Sequence, residues 1–166
     1  MVAMAGTTNG MKEFDKGENI EQSSDVQAVV DIYGLSDLTK IGVGHSKEAQ
    51  HMHESVSAPE ALLVNGAAMV SGPGGSVYDT PEKTKANNPL TYIAGNNNIP
   101  PFLLMHGDHD PAVSPNQTEI LHDALTEKGV NSTRYVVRGA GHADIYWNQP
   151  VVMKIIINFL DKQLKQ

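Results

Sequence analysis

Cysteine is absent from the 166 residues, which excludes disulfide bonds and thiolate metal sites. A chain without cysteine is typical of a reducing compartment, and we therefore expect a cytoplasmic location. Basic residues are also few: 12 lysines and arginines stand against 19 acidic residues, and the net charge is -7. The positive surface of a nucleic-acid or anionic-membrane binder is missing, so neither partner is expected.

Long apolar runs are missing as well. The longest strongly apolar segment, residues 151–160, contains Lys154 and Asn158 and is much shorter than the ~20 residues of a membrane-spanning helix. We therefore predict no membrane span. The hydrophobic content of 40% is ordinary for a globular protein, and the length fits one domain that buries roughly 70% of its unfolded surface.

Strand and helix patterns alternate in the second half of the chain. Residues 102–105 form a continuous apolar run, which is typical of a strand buried on both faces of a parallel sheet. Further strands are predicted at residues 26–33 and 133–137, and helices at residues 114–129 and 150–164. This alternation predicts an α/β fold with a parallel sheet and right-handed crossovers.

The helix predicted at residues 114–129 has signals at both ends. Ser114 followed by proline and then Gln117 matches a capping box, and Gly129 predicts a left-handed stop. Its apolar stripe, which should face the sheet, consists of Ile120, Leu121, Ala124 and Leu125. The last helix should also turn an apolar stripe towards the sheet, and this stripe consists of Val152, Ile155, Ile156 and Phe159.

Two loops that follow predicted strands carry candidate acid–base residues. One reads Met-His-Gly-Asp-His-Asp and ends at Asp110; the other reads Gly-Ala-Gly-His and ends at His142. Loops at the carboxyl ends of parallel strands converge on the ligand site. A histidine beside a buried carboxylate is held in one tautomer and can take a proton from a hydroxyl nucleophile. The alternative for His142 is a structural histidine bonded to a loop carbonyl.

The nucleophile of such a site is missing from the sequence, because no Gly-x-Ser-x-Gly turn occurs in it. Ser46 follows Gly-His, but Glu48 replaces the second glycine and no predicted strand precedes it. Ser76 lacks the strand-turn-helix context too, and a loop position explains it. Neither serine is predicted to be a nucleophile.

From residue 26 to residue 160 the chain resembles the C-terminal half of an α/β-hydrolase of the bacterial esterase and lipase type, near the acetylxylan- or feruloyl-esterase-like group. Residues 26–34, 57–62, 86–93, 101–110 and 139–142 carry the resemblance. It implies that Asp110, three residues after the glycine of His-Gly-x-x-Asp, is the acid. It implies that His142, which closes Gly-x-Gly-His, is the base. It also implies that the substrate is a small ester and that the reaction needs no cofactor or metal.

The resemblance also implies a single incomplete domain over residues 1–166, with a partial α/β-hydrolase fold. Residues 1–10 resemble the end of the helix that follows the nucleophile turn, so the serine is expected just before Met1, together with the earlier strands and the oxyanion donors. Residues 35–99, with short helices at 59–64 and 80–86, are expected to be a cap-like insertion. Residues 100–166 are expected to bear the acid and the base.

Four histidine and glutamate residues offer an alternative site. His45, His51, His53 and Glu54 are residue types that bind zinc. Their spacing matches no closed metal site, so we predict solvated surface positions for them.

Residues near the two loops have alternative interpretations. Asp108 and His109 compete with Asp110 for the acid role, but solvent-facing loop positions explain both. Tyr146 and Trp147 are candidates for a substrate pocket and equally for packing.

Three functional hypotheses follow. The first is a serine carboxylic-ester hydrolase that lacks its serine within this sequence, so the isolated chain is expected to be inactive. The second is a non-catalytic half-domain that forms a homo-oligomer through the unpaired apolar strand at residues 26–33. The third is a ligand-binding module that keeps the pocket without the chemistry.

Overall fold

A computed structural model describes residues 17–67, 74–95 and 98–165. The predicted helix end within residues 1–10 lies outside this part of the chain. In chain order the strands and α-helices are β1 (Val29–Ile32), α1 (Lys47–His53), α2 (Pro59–Asn65), α3 (Pro81–Ala86), β2 (Phe102–Gly107), α4 (Asn116–Glu127), β3 (Ser132–Val137) and α5 (Pro150–Leu164). Short 3-10 helices lie at Leu38–Lys40, Pro89–Tyr92 and Ile145–Asn148.

The three strands form one parallel sheet in the order β1-β2-β3. Strand β2 lies in the middle, and all six of its residues are buried. Its first residue, Phe102, is paired with Val29 of β1 and Ser132 of β3. The continuous apolar run predicted this environment, since a central parallel strand is covered on both faces. The predicted α/β class and parallel sheet are confirmed.

Alternate residues of β2 belong to two separate cores. Phe102 and Leu104 pack with Leu121 and Leu125 of α4 on one face of the sheet. On the other face Leu103 and Met105 pack with Trp147 and with the apolar stripe of α5, which consists of Val152, Ile155, Ile156 and Phe159. Because successive strand residues point to opposite faces, one short strand organises both layers. The sheet-facing stripe predicted for the last helix is confirmed.

Helix α4 ends just before the glycine that the sequence predicts as its left-handed stop. Gly129 has a φ of 81°, and its N–H donates to the carbonyl of Thr126 at 2.9 Å. The N–H of Val130 donates to the carbonyl of Leu125, also at 2.9 Å. These two bonds define a Schellman motif, which requires the left-handed residue that glycine adopts without strain.

The predicted capping box at the start of α4 forms only on its serine side, where the Ser114 hydroxyl accepts from the amide of Asn116 at 3.3 Å, and the glutamine side of the prediction is wrong. The helix begins at Asn116, and its N-cap, Pro115, makes no side-chain bond to the first turn. The Gln117 side chain is fully buried, and its carboxamide oxygen accepts from the amides of Ser36 and Asp37 at 3.0 and 2.8 Å. Both amides are buried after β1 and need an acceptor, so this long-range bond replaces the local one.

Strand β1 is shorter than predicted and is followed by a helical segment. Tyr33 has a φ of 51°, which ends the extended conformation one residue after Ile32. Between β1 and β2 the described residues contain helices α1 to α3 and no strand. Helix α1 was not predicted, whereas α2 and α3 match the expected short helices within one residue at each end. A small core formed by Leu38, Ile41, Val64 and Val77 holds this segment together.

The helices of the described ranges are short. The longest, α5, has 15 residues and extends about 22 Å at 1.5 Å per residue, against the roughly 30 Å of a bilayer's hydrocarbon core. No helix in the described part of the chain is both long and apolar enough to cross a membrane.

Candidate active site

Asp110 lies in the turn that follows β2, and its side chain is fully buried. One carboxylate oxygen, Oδ1, accepts from the amides of Ala112 and Val113, both at 2.9 Å. The other oxygen, Oδ2, lies 2.9 Å from Nδ1 of His142 and 3.3 Å from Nε2 of His106. Two backbone amides and two imidazoles therefore surround a single carboxylate.

These hydrogen bonds keep Asp110 ionised. Burial alone raises the pKa of a carboxyl group, but the bonds from His106, from the Val113 amide, from His142 and from the Ala112 amide outweigh it. Together they lower the pKa of Asp110 from 3.8 to about 2. At neutral pH the side chain is a carboxylate that only accepts hydrogen bonds.

His142 lies in the loop that follows β3. Its side chain is 34% exposed, and its ring packs on Tyr33 with 4.5 Å between the ring centroids. Because the Asp110 carboxylate is an acceptor, the Nδ1 atom of a neutral His142 ring carries the proton. Its Nε2 then has a free lone pair, and no described residue bonds to that atom. This is the orientation that a general base requires.

The loops of Asp110 and His142 are tied together through their backbones. A side chain on Gly107 would collide with the carbonyl of Ala140, so only glycine permits this approach. The N–H of His109 donates to the same carbonyl at 3.0 Å, and the carboxylate of Asp108 accepts from the amide of Gly139 at 2.6 Å. Asp108 and His109 are exposed, as predicted, and Asp108 links the two loops.

His106 is a site residue that the sequence did not single out. It is fully buried, and its Nε2 donates to the carbonyl of Val113 at 2.9 Å while lying close to Asp110. Its Nδ1 lies 3.2 Å from the hydroxyl of Thr118 in α4. The alternation along β2 was the available signal, because it places residue 106 on the same face as Leu104, beneath α4. His106 acts as a positioning residue for the Asp110 carboxylate.

A cavity of about 490 Å³ opens beside His142. Its wall is mostly apolar and comes from the β1 and β2 loops and from helices α1 and α2; it includes Leu35, Ile41, Met52, Ala58, Pro59, Leu63, Ala112 and Val113. A volume of this size is in the usual range for small-molecule sites. His142 therefore borders a space that can hold an organic ligand.

Tyr146 and Trp147 do not line this cavity. Trp147 is 7% exposed, contacts the ring of Tyr33 edge-on at 5.1 Å and donates from Nε1 to the carbonyl of Gly141 at 2.9 Å. It therefore supports the His142 loop by packing.

The expected surface position of His53 is wrong. His53 is 6% exposed, and its Nδ1 lies 2.7 Å from Oε1 of Glu60, which is 4% exposed. His53 ends α1 and Glu60 lies in the first turn of α2, so the contact depends on a helix pair that the sequence did not reveal. His51 and Glu54 are exposed and form a surface ion pair at 3.1 Å. Within the described residues no group of three or more His, Cys, Asp or Glu residues is arranged to hold a metal.

The two serines weighed as nucleophiles have local structural roles. Ser46 is the N-cap of α1, and its hydroxyl accepts from the amide of Ala49 at 3.3 Å. Ser76 is 4% exposed, and its hydroxyl accepts from the amide of Tyr78 at 3.1 Å. Neither serine follows a strand of the described sheet, as a nucleophile turn would.

Comparison with known proteins finds esterases. Residues 1–125 match the BD-FAE family, a match that includes Asp110 and ends before His142. Esterase LipQ of Mycobacterium tuberculosis is 30% identical over 119 residues, which cover 71% of this chain and 24% of LipQ.

Solved structures with the same fold include carbohydrate-esterase proteins and peptidases. A truncated form of a carbohydrate esterase from gut microbiota superposes with a TM-score of 0.75 at 24% identity, over 99% of this chain and 55% of that one. A bifunctional GH43-CE protein of Bacteroides eggerthii gives a TM-score of 0.74 at 27% identity, over 98% of this chain and 20% of that one. The chain thus spans about a quarter of LipQ and about half of the truncated esterase.

Proposed function

Because this chain belongs to the BD-FAE family of α/β-hydrolase-like esterases, we propose that it carries the acid and the base of a serine carboxylic-ester hydrolase. One observation carries the proposal: the buried Asp110 carboxylate lies 2.9 Å from Nδ1 of His142, and His142 also lines a cavity large enough for an organic ligand. Asp110 is the proposed acid and His142 the proposed base.

The proposed reaction uses the free Nε2 atom of His142. This atom takes the proton of a serine hydroxyl as the serine oxygen attacks the ester carbonyl. The Asp110 carboxylate stabilises the resulting imidazolium, which then returns the proton to the departing alkoxide and leaves an acyl-serine. Water repeats the sequence and releases the acid. The cavity beside His142 holds the acyl or the alcohol part of the ester.

The nucleophile of this reaction is proposed to come from a segment other than residues 1–166, because the sequence has no Gly-x-Ser-x-Gly turn. Neither Ser46 nor Ser76 is in a position that suits the role. We propose that the amides that bind the oxyanion belong to the same segment as the serine, since in serine hydrolases one of them follows the serine directly.

Ester hydrolysis by two forms of the protein tests this proposal. The first form is residues 1–166 alone; the second, called the extended form, is the same chain joined in frame to the coding sequence upstream of Met1. We expect p-nitrophenyl acetate turnover at background level for the first form and enzymatic turnover for the extended form. An upstream sequence without a Gly-x-Ser-x-Gly turn, or an inactive but folded extended form, would contradict the proposal.

A second candidate function is self-association without catalysis. In the described residues the outer edge of β1 pairs with no strand, and its four residues are only half-buried. Such an edge is a template for pairing with another chain, so we propose that residues 1–166 alone form a homo-oligomer through β1. Multi-angle light scattering at micromolar concentration is expected to give a dimer or a larger species. A strictly monomeric chain would count against this candidate.

A further inference from the structure

His53 and Glu60 form a second buried imidazole–carboxylate pair in the wall of the cavity that also contains His142. The proposed proton transfer uses neither residue. Buried polar groups normally have all their hydrogen bonds satisfied, because an unpaired one is costly to remove from water. A buried pair on the wall of a ligand-sized cavity therefore needs an explanation.

Glu60 determines which nitrogen of His53 donates a hydrogen bond. An ionised carboxylate only accepts hydrogen bonds, so the Nδ1 atom of a neutral His53 ring carries the proton that Glu60 accepts. The Nε2 atom of His53 then has a lone pair. This atom is buried, and it has no hydrogen-bond partner among the residues that the structure describes. A group that forms a hydrogen bond with this nitrogen must therefore be the hydrogen-bond donor.

The neighbouring His45 does not donate a hydrogen bond to this nitrogen. The ring centroids of His45 and His53 are 5.4 Å apart, with an angle of 32° between the planes. The Nε2 atom of His45 is buried and also lacks a partner in the described ranges. Burial is the largest cause that lowers the pKa of His45, so this ring favours the neutral form.

The surroundings of His53 suit an apolar ligand group. Leu35, Ile41, Leu63 and Val113 line the same cavity, whose volume of about 490 Å³ accommodates a single ring or a short chain. Met52 lies beside His53 in the wall and is 60% exposed. A methionine side chain is flexible enough to move aside and let a ligand reach the ring edge.

We propose that this cavity binds an apolar substrate group that ends in a hydroxyl, and that His53, held by Glu60, determines specificity by accepting the hydrogen bond of that hydroxyl. The inference rests on the proposed function, since it assigns one part of the ester to this cavity. His53 contacts the substrate away from the ester bond and takes no part in the proton transfers of His142.

Binding of two small compounds to residues 1–166 tests the inference. 4-Methylphenol has the apolar ring and the donating hydroxyl, whereas in 4-methylanisole a methyl group replaces the hydroxyl proton. We expect calorimetry to give about tenfold tighter binding of 4-methylphenol, because only this compound can donate to Nε2. We also expect 4-methylphenol to shift the nitrogen-15 resonance of His53 Nε2.

A double variant separates the hydrogen bond from the apolar contact. H53F/E60L replaces both partners with apolar side chains, since removing only one would leave a buried charge unpaired. We expect this variant to keep its affinity for 4-methylanisole and to lose the preference for 4-methylphenol. The matched control H51F/E54L changes the exposed pair on the same helix and is expected to retain the tenfold preference.

Equal binding of the two compounds by the unmodified chain would overturn the inference, as would an unchanged preference in H53F/E60L. If that variant does not fold, the nitrogen-15 titration of the unmodified chain decides, and an unshifted Nε2 resonance overturns the inference. None of these readouts involves hydrolysis. Loss of the proposed function would appear as an inactive extended form with the binding preference intact.

Discussion

Replacing His142 with alanine in the extended form is expected to lower kcat for p-nitrophenyl acetate by about 10⁴- to 10⁶-fold, with KM nearly unchanged. Among the described residues near Asp110, this imidazole alone has a nitrogen without a hydrogen bond and also lines the cavity. His106, the other imidazole beside Asp110, is fully buried and donates its Nε2 proton to Val113. It cannot take over as base, so the serine would stay protonated and unreactive.

The control for this variant is His51→Ala. His51 has the same side chain, but it is 88% exposed on α1 and its ring lies against Glu54 at 3.1 Å. We expect its substitution to change kcat by less than about threefold, since exposed ion pairs contribute little. Steady-state kinetics, with circular dichroism to verify folding, provides the measurement. An H142A enzyme that retains more than a tenth of the activity would contradict the assignment of His142 as base.

Substitution of Asp110 by asparagine is expected to lower kcat of the extended form by about 10⁴-fold. The side chains have nearly the same shape, so the variant changes chemistry more than packing. An asparagine amide can donate to Nδ1 of His142, which would move the ring proton to Nε2 and remove the lone pair that accepts the serine proton. It also removes the negative charge that stabilises the imidazolium.

Asp161→Asn is the matched control for Asp110→Asn. Asp161 lies on α5 with a side chain that is 48% exposed and forms an ion pair with Lys165 at 2.8 Å. Its substitution is expected to leave kcat within about twofold of the unmodified enzyme. If D110N were equally active while folded, Asp108, the other carboxylate of this loop, would become the better candidate for the acid.

Local signals were sufficient to predict the parts of the fold that depend on neighbouring residues. The apolar run that begins at Phe102, the glycine at 129 and the apolar stripe of α5 each act over a few residues, and each predicted the observed element. The loops that carry Asp110 and His142 were predicted to converge because the carboxyl ends of parallel strands share one edge. Their side chains lie 2.9 Å apart in the structure.

Contacts between distant segments could not be predicted in this way. Gln117 matches a local capping pattern, but its side chain bonds to residues about 80 positions away. His53 has the sequence context of a solvated loop histidine, and its burial depends on Glu60 approaching from the next helix. In both cases the competing partner is buried, and a buried polar group without a partner costs more than a local exposed bond provides. Contacts between segments distant in sequence thus determined both side-chain positions.

The segment between β1 and β2 is where prediction from sequence was weakest and where the cavity is formed. Most of the cavity wall comes from α1, α2 and the residues around them. The proposed acid–base residues lie on the sheet edge, whereas the proposed substrate contacts lie on this helical segment. Variation in α1 and α2 would therefore change which ester is bound without changing Asp110 or His142.

We propose that Asp110 fixes the proton of His142 on Nδ1, and nitrogen-15 NMR of the imidazole in residues 1–166 measures the position of this proton. At a pH where the ring is neutral, we expect Nδ1 to give the resonance of a protonated nitrogen and Nε2 that of an unprotonated one, with the assignment reversed or averaged in D110N. A His142 ring that carries its proton on Nε2, or one whose tautomer does not respond to D110N, would contradict the claim.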